Sequence, residues 1–303
     1  MIFFPFSAVI IACSIWGFSP LLYRLLDHIT PEIIMTFRII FSFIFLFFFV
    51  AASKKTNSTI RIIKNLNTFI LILFATIMIG INQFGFIYSI SIDQVLQASF
   101  AYYVFPLIAI LFGFIFFKER FTIIQFIAII FALISVILLS LGMQSIPLIS
   151  IIMGTTFAVY GLLKKKMDLD PLITITIEIF LLCPLAFGFL LFTSIQFPEK
   201  VNYLTQGDYF LLIVSGLITA LPLYLFSFAT RKLKYSTVGL INYLNPTLQF
   251  LVAVFIFSEP FSSLHLLSFT FIWFGLLLYS FDTINPSFFK SKKISSTVSQ
   301  TLK

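Results

Sequence analysis

Charge is what this sequence lacks most. Only 10% of its 303 residues are Asp, Glu, Lys or Arg, where a soluble domain carries about 25%. That excludes an ordinary water-soluble fold. It also excludes a disordered chain, which combines high charge with low hydrophobicity. Acid is the scarcer sign, with 11 Asp and Glu against 19 Lys and Arg and a formal net charge of +8. The basic residues sit in short clusters between apolar runs and form no continuous polar face, so nucleic acid is not an expected partner. Cysteine is nearly absent. Cys13 and Cys183 both fall in apolar runs and read as small buried hydrophobes, without disulfide, haem or zinc spacing. The two histidines, His28 and His265, lie near opposite ends of the chain. H-E-x-x-H, G-x-S-x-G and G-x-x-x-x-G-K-[ST] are all missing, which leaves little material for an enzyme or an ATP-driven machine. No metal or other cofactor is expected. The N-terminus has neither a basic leader nor an A-x-A site, so it reads as a first span rather than a signal peptide.

Apolar length is what the chain has in abundance. Sixty per cent of it is hydrophobic and 43 residues are Phe. A bilayer crossing takes about 20 apolar residues. Ten apolar segments stand out, at 3–26, 33–52, 68–90, 95–117, 122–142, 146–163, 171–193, 209–230, 236–257 and 263–282. Lipid cannot satisfy free backbone groups, so each must be helical. Runs such as 41–50 lack the alternation of a transmembrane barrel. The expected fold is therefore an all-α membrane protein of ten transmembrane helices. All 19 Lys and Arg except Arg24, Arg38 and Lys200 fall in the loops after spans 2, 4, 6 and 8 or in the tail. That bias places both termini in the cytoplasm.

The second half repeats the first. Tyr102-Tyr103-Val104-Phe105-Pro106 matches Asn242-Tyr243-Leu244-Asn245-Pro246 at an offset of 140, which also pairs Pro31 with Pro171, Phe117 with Phe257, Glu119 with Glu259 and Ser140 with Ser280. Trp16-Gly17 matches Tyr160-Gly161 at 144. The expected organisation is a first five-helix repeat over 1–142, a second over 146–283 and a cytoplasmic tail over 284–303. Five is odd, so the second repeat enters the membrane from the opposite face. Two inverted repeats can exchange shapes and so open a central site to each side in turn.

Polar residues at membrane depth need a reason. Arg38 lies seven residues beyond Pro31 and Glu178 seven beyond Pro171, each about 10 Å into its helix. Opposite charges thus occupy equivalent positions. Either both line a cavity that binds or gates a polar or zwitterionic solute, or they are structural. In the second case Arg38 pairs with Glu32 or snorkels, and a neighbour satisfies Glu178. Pro106 and Pro246 mark matched kinks and candidate hinges, with Tyr103 and Tyr243 expected to face the cavity beside Asn245. Gln83, Gln97 and Gln249 add neutral hydrogen-bonding groups, and Trp16 is either a cavity aromatic or packing. Glu178 is the candidate for proton coupling.

These residues carry a family likeness. The chain resembles the RarD-type permeases of the EamA group, within the drug/metabolite transporter superfamily. The resemblance is densest at Trp16-Gly17-x-x-Pro20, Glu32 with Arg38, Val95 to Ser99, Pro106, Lys118-Glu119-Arg120, Thr219 to Leu223, Tyr243, Pro246 to Phe250 and Glu259-Pro260-Phe261. It implies an EamA-like permease of ten helices in a bacterial inner (plasma) membrane, with a cavity between the halves. Asn82 is retained. Gln97 stands where relatives carry an acid, Phe105 where they carry Asn, and Gln83 and Tyr88 where Trp is common. The expected function is secondary transport of a small organic metabolite or drug, driven by a proton or other ion gradient or by exchange. Translocation of a lipid or lipid precursor is the alternative, with a membrane-embedded enzyme behind it. The expected partners are a small-molecule solute and the lipid bilayer, with a homodimer left open.

Overall fold

A computed structural model describes residues 3–91, 95–141, 148–258 and 263–284. The side chains of Tyr88, Gln97 and His265, and all of Asp93, Glu259 and the tail beyond 284, lie outside the described residues. The helices are α1 (Phe3–Arg24), α2 (Pro31–Ala52), α3 (Thr56–Lys64), α4 (Leu66–Ser91), α5 (Val95–Phe117), α6 (Ile123–Leu141), α7 (Leu148–Met167), α8 (Pro171–Gln196), α9 (Glu199–Asn202), α10 (Gln206–Lys232), α11 (Tyr235–Ile241), α12 (Leu244–Leu251) and α13 (Ser263–Ile284). A π-helical turn, Val252–Ile256, follows α12. Ten segments are long and apolar enough to cross a membrane, Tyr235–Ile256 counting as one. They correspond to the ten expected spans. No strand occurs among the described residues.

Local chemistry explains where the helices begin. Pro31 and Pro171 open α2 and α8, where a missing N–H costs nothing and φ is already helical. Asp170 caps α8 by accepting from the Leu172 N–H at 2.9 Å. Thr205 and Asp208 form a reciprocal capping box on α10. Two short helices interrupt stretches that read as plain loops in the sequence. In α3, Ile60 and Ile63 stay exposed beside Arg61 and Lys64, the composition of a helix lying at a membrane interface.

The ninth span departs from a simple crossing. Pro246 has no N–H to offer Asn242, so the Asn242 carbonyl accepts from Asn245 N instead, at 3.1 Å. The helix ends at Ile241 and restarts at Leu244, which puts Pro246 in the first turn of α12, where Pro is tolerated. The matched Pro106 sits inside a continuous α5. Of the two expected hinges, only the second coincides with a break. The repeat also shows in the backbone. Lys118 and Ser258, 140 residues apart, both terminate their spans at positive φ, 51° and 56°.

Two compact units emerge. The smaller takes Arg120–Gln144 and Phe261–Lys303, and within it α6 packs on α13. Ser135 Oγ donates to the Ser268 carbonyl at 2.9 Å, and Phe131 and Phe274 meet edge to face at 4.9 Å. The larger takes Met1–Glu119 and Ser145–Pro260. Here helices of one repeat pack mainly on helices of the other: α1 on α10 and α12, α2 on α8 and α10, α4 and α5 on α7, and α11 on α5. Lipid supplies no hydrophobic drive between helices, so close backbone approach matters. A Cβ on Gly216 would come within 2.5 Å of Phe41 Cβ and 2.9 Å of its backbone carbonyl carbon. The side chain of Phe48, like those of Phe114 and Leu185, points outward as lipid-facing residues do.

Candidate functional site

The larger unit encloses a cavity of about 510 Å³, within the range of small-molecule sites. Its walls follow from helical spacing. Along α1, Trp16, Ser19, Pro20, Tyr23 and Arg24 line it, with Asp27 just beyond the helix. These recur at intervals of three and four, one face of a helix. Ile79, Asn82, Gln83 and Phe86 repeat the pattern on α4, as Asn245 and Gln249 do on α12. Met35 and Arg38 come from α2, Tyr102 from α5, Phe157 from α7, and Thr219 and Leu223 from α10. Both repeats contribute.

The polar groups are held by short bonds. Arg38 Nε donates to Thr219 Oγ1 at 3.0 Å, and Thr219 Oγ1 donates on to the Ser215 carbonyl at 2.8 Å. The Arg38 guanidinium lies over the Tyr23 ring, 5.4 Å from its centroid. Asn82 Nδ2 donates to the Met153 carbonyl at 2.9 Å, tying α4 to α7. Gln249 Nε2 donates to Asn245 Oδ1 at 3.0 Å. Gln83 Oε1 is buried and has no hydrogen-bond partner among the described residues.

The cavity lining includes exposed residues at the end of α1. There the exposed Arg24 and Asp27 lie 4.0 Å apart, and Arg24 also stacks on Phe257, 5.7 Å from its centroid. Phe257 is delivered by the π turn, through its N–H bond to the Val252 carbonyl at 3.1 Å. Behind Phe157 the bundle is packed shut. Phe157 stacks on Phe226 at 5.1 Å and meets Phe105 at 4.7 Å, and Phe226 and Phe105 are both buried.

Beyond that plug lies the basic end of the bundle. Lys164 Nζ donates to Glu178 Oε1 at 2.7 Å and to Thr174 Oγ1 at 2.5 Å, while Tyr160 Oη donates to Glu178 Oε2 at 3.0 Å. Glu119, at the end of α5, accepts from Tyr235 N at 2.6 Å, Ser236 N at 3.0 Å and Ser236 Oγ at 2.5 Å. Its carboxylate caps the N-terminus of α11, where negative charge is favoured. Lys165 donates to the Leu233 carbonyl. Lys55 pairs with Asp170 at 2.5 Å and Arg231 with Asp168 at 2.6 Å. The Arg231 guanidinium holds the exposed Asp168 carboxyl below the usual carboxylate range.

Of the residues singled out in the sequence, Trp16, Arg38, Asn82, Gln83, Asn245 and Gln249 line the cavity. Tyr103 and Tyr243 do not. Both are buried between α5 and the ninth span, where Tyr243 Oη donates to the Tyr103 carbonyl at 3.2 Å. The neighbouring Tyr102, about 100° around the helix, takes the cavity position. Glu178 also stands apart, 2% exposed in its own cluster with Lys164. The equivalent charges therefore have different surroundings: Arg38 is in the open part and Glu178 in the closed part. Ser19, Tyr23 and Phe157 went unnoticed in the sequence, while Tyr102 and Thr219 were noted in the repeat and in the family likeness but not as cavity residues. The three-and-four spacing from Trp16 was the signal for Ser19 and Tyr23, whereas the only sequence signal for Thr219 was its place in the family-like stretch Thr219 to Leu223.

Comparison with known proteins points to one family. Residues 4–141 and 144–281 each match the EamA-like transporter family. The chain is 35% identical over 272 residues to the uncharacterized transporter YojE of Bacillus subtilis, covering 89% of this chain and 91% of that one. It is 30% identical over 273 residues to protein RarD of Escherichia coli, covering 90% and 92%. A Pseudomonas aeruginosa protein named chloramphenicol-sensitive protein RarD is 30% identical over 203 residues, 66% of this chain and 67% of that one. One solved crystal structure, 14% identical, superposes over 93% of this chain and 98% of its own with a TM-score of 0.75, a likeness of fold alone. A repeat legible in the sequence, a ten-span bundle and two tandem family domains converge: this chain belongs to the EamA-like transporter family, as a RarD-type member, and is a multi-pass membrane protein.

Proposed function

We propose that the protein is a secondary transporter that carries a small organic solute across a bacterial inner membrane by alternating access between inverted repeats spanning 1–142 and 146–283. One observation carries the reading. A cavity walled by both repeats has the exposed Arg24 and Asp27 in its lining at the end of α1, while its Phe157 wall packs on Phe105 and Phe226, with the Lys164–Glu178 and Glu119–α11 contacts beyond; we read the first end as open and the second as closed. By the basic-loop bias, the closed end faces the cytoplasm and the structure is outward-open, with both termini inside. Because the repeats are alike, the opposite state is reached when each adopts the other's arrangement. Trp16, Arg38, Asn82, Gln83, Asn245 and Gln249 contact the solute in this reading. The ninth-span break at Pro246 supplies a hinge. Energy comes from exchange or an ion gradient, with Glu178 as the coupling carboxylate.

The test is counterflow in sealed liposomes. Purified protein loaded with unlabelled solute is offered the same solute in labelled form, across a panel of amino acids, organic acids and amines, with and without a proton gradient. Saturable, trans-stimulated uptake of at least one member is expected. Flux that rises linearly with concentration, like that of a pore, overturns the carrier reading.

A further inference from the structure

Resting on the transport reading, the charge balance of the cavity narrows the solute. Arg38 Nε is occupied by Thr219 Oγ1, but neither terminal nitrogen has a protein acceptor among the described residues, and Arg38 forms no ion pair there. Among the described residues, the one carboxylate lining the cavity is Asp27, which sits at the mouth beside Arg24. The part of the cavity behind that mouth thus carries, among the described residues, a single uncompensated positive charge. In a partly desolvated site such a charge interacts far more strongly than in water, and a guanidinium fixed through Nε presents its remaining N–H groups as a fork suited to a carboxylate. The Thr219 bond and the Tyr23 ring set the plane of that fork. The rest of the wall is mostly apolar and aromatic: Trp16, Tyr23, Tyr102, Phe157 and Phe86 with Ile79.

We propose that this cavity selects monoanionic solutes, seating a carboxylate on the terminal nitrogens of Arg38 and an apolar or aromatic body between Trp16, Tyr102 and Phe157. A zwitterion is disfavoured, because among the described residues no carboxylate lies beside Arg38 to receive its ammonium group. A dianion is disfavoured as well, since it would bring one charge more than the cavity neutralises. A cation meets Arg38 directly and is excluded.

The chain has two tryptophans, Trp16 and Trp273. Trp273 lies on α13, in the smaller unit. A Trp273→Phe variant therefore leaves Trp16 as a fluorescent reporter of the cavity. The probes are 3-phenylpropionate, 3-phenylpropionamide and 3-phenylpropylammonium, matched in body and differing in charge. Quenching titrations should rank the anion about 10- to 100-fold tighter than the amide, the scale of charge-assisted hydrogen bonds, with the cation weakest. Arg38→Gln in that background should bring the anion down to the amide while leaving the amide unchanged. Arg38→Lys, which keeps charge but not the fork, should fall between; it also serves if the Gln variant does not elute as a monodisperse peak. Equal affinities for anion and amide, or no quenching by any probe, overturn the inference. Trans-stimulated uptake of any solute in the counterflow panel would then still uphold the transport reading, and its absence for every solute in that panel would overturn both.

Discussion

The Lys164–Glu178 pair offers the sharpest test of how the closed end is built. Both side chains are almost fully enclosed, 1% and 2% exposed. Removing one partner leaves the other charged and without its counter-ion, a change that costs about 3–5 kcal/mol. Lys164→Met leaves the carboxylate with only the Tyr160 hydroxyl, and Glu178→Gln leaves the ammonium with only Thr174 and a neutral amide. Either variant should lower the folding equilibrium by roughly two to four powers of ten, at about 1.36 kcal/mol per factor of ten. Removing both charges together should restore most of the loss, because an apolar pair of similar volume replaces a buried ion pair at little cost and can be more stable by about 1–4 kcal/mol. Thermal unfolding in detergent, followed by size-exclusion chromatography, measures all three. The expected order is Lys164→Met and Glu178→Gln well below the native protein, with the Lys164→Met/Glu178→Met double variant close to it. Singles that melt with the native protein, or a double that melts below the worse single, refute the reasoning.

Three other outcomes follow from the same geometry. Glu119→Gln removes the charge that caps α11 and one of two accepting oxygens, so it should cost about 1.5–3 kcal/mol; an unchanged melting temperature would show that the cap contributes nothing. Gly216→Ala drives a Cβ into the Phe41 backbone and should destabilise by about 1–3 kcal/mol through overpacking, read in the same melt, whereas Gly188→Ala meets nothing within 4 Å and should be tolerated. In a background with Cys13 and Cys183 replaced, a membrane-impermeant maleimide applied outside intact cells should label Ser258→Cys and leave Lys118→Cys unlabelled until the cells are opened. Labelling of both from one side would contradict the inverted threading.

The fold was legible because lipid simplifies the physics. With no water to satisfy the backbone, apolar length alone marks a helix, and all ten spans could be counted. The repeat was legible through Pro31 with Pro171 and Pro106 with Pro246, since each proline fixes a backbone position that both halves need. Finer features were hidden. That Pro246 breaks its span while Pro106 does not depends on what surrounds each, and spacing carries no trace of it. Helix α3 was invisible to a search for long apolar runs because its nine residues mix isoleucine with Arg61 and Lys64. At the site, depth could be read but azimuth could not. Tyr102 and Tyr103 are adjacent at equal depth, and only helix packing decides that the first meets the cavity and the second the ninth span. The sequence brought Arg38 and Glu178 together as equivalents, yet it could not say that helix packing gives them different surroundings.

If the protein works by the alternating access proposed above, that difference has a consequence for its cycle. In the present state the closed end neutralises Glu178 with Lys164 and Tyr160 from α7. The offset of 144 that aligns α7 with α1 pairs Tyr160 with Trp16 and Lys164 with Pro20. When the repeats exchange arrangements, Arg38 takes the enclosed place that Glu178 has now, but α1 has no acidic residue in the place of Lys164. An empty carrier would then bury an unpaired guanidinium, at a cost of several kcal/mol. An anionic solute on Arg38 removes that cost by serving as the missing counter-ion. In that reading, closure of the outer end should be fast when loaded and slow when empty, so the protein should behave as an exchanger. In liposomes, efflux of a transported anion into solute-containing medium should exceed efflux into solute-free medium by about tenfold or more, the factor set by each 1.4 kcal/mol of unpaired charge. Equal rates in the two media would mean that the empty carrier returns freely and that Arg38 finds a partner within the protein.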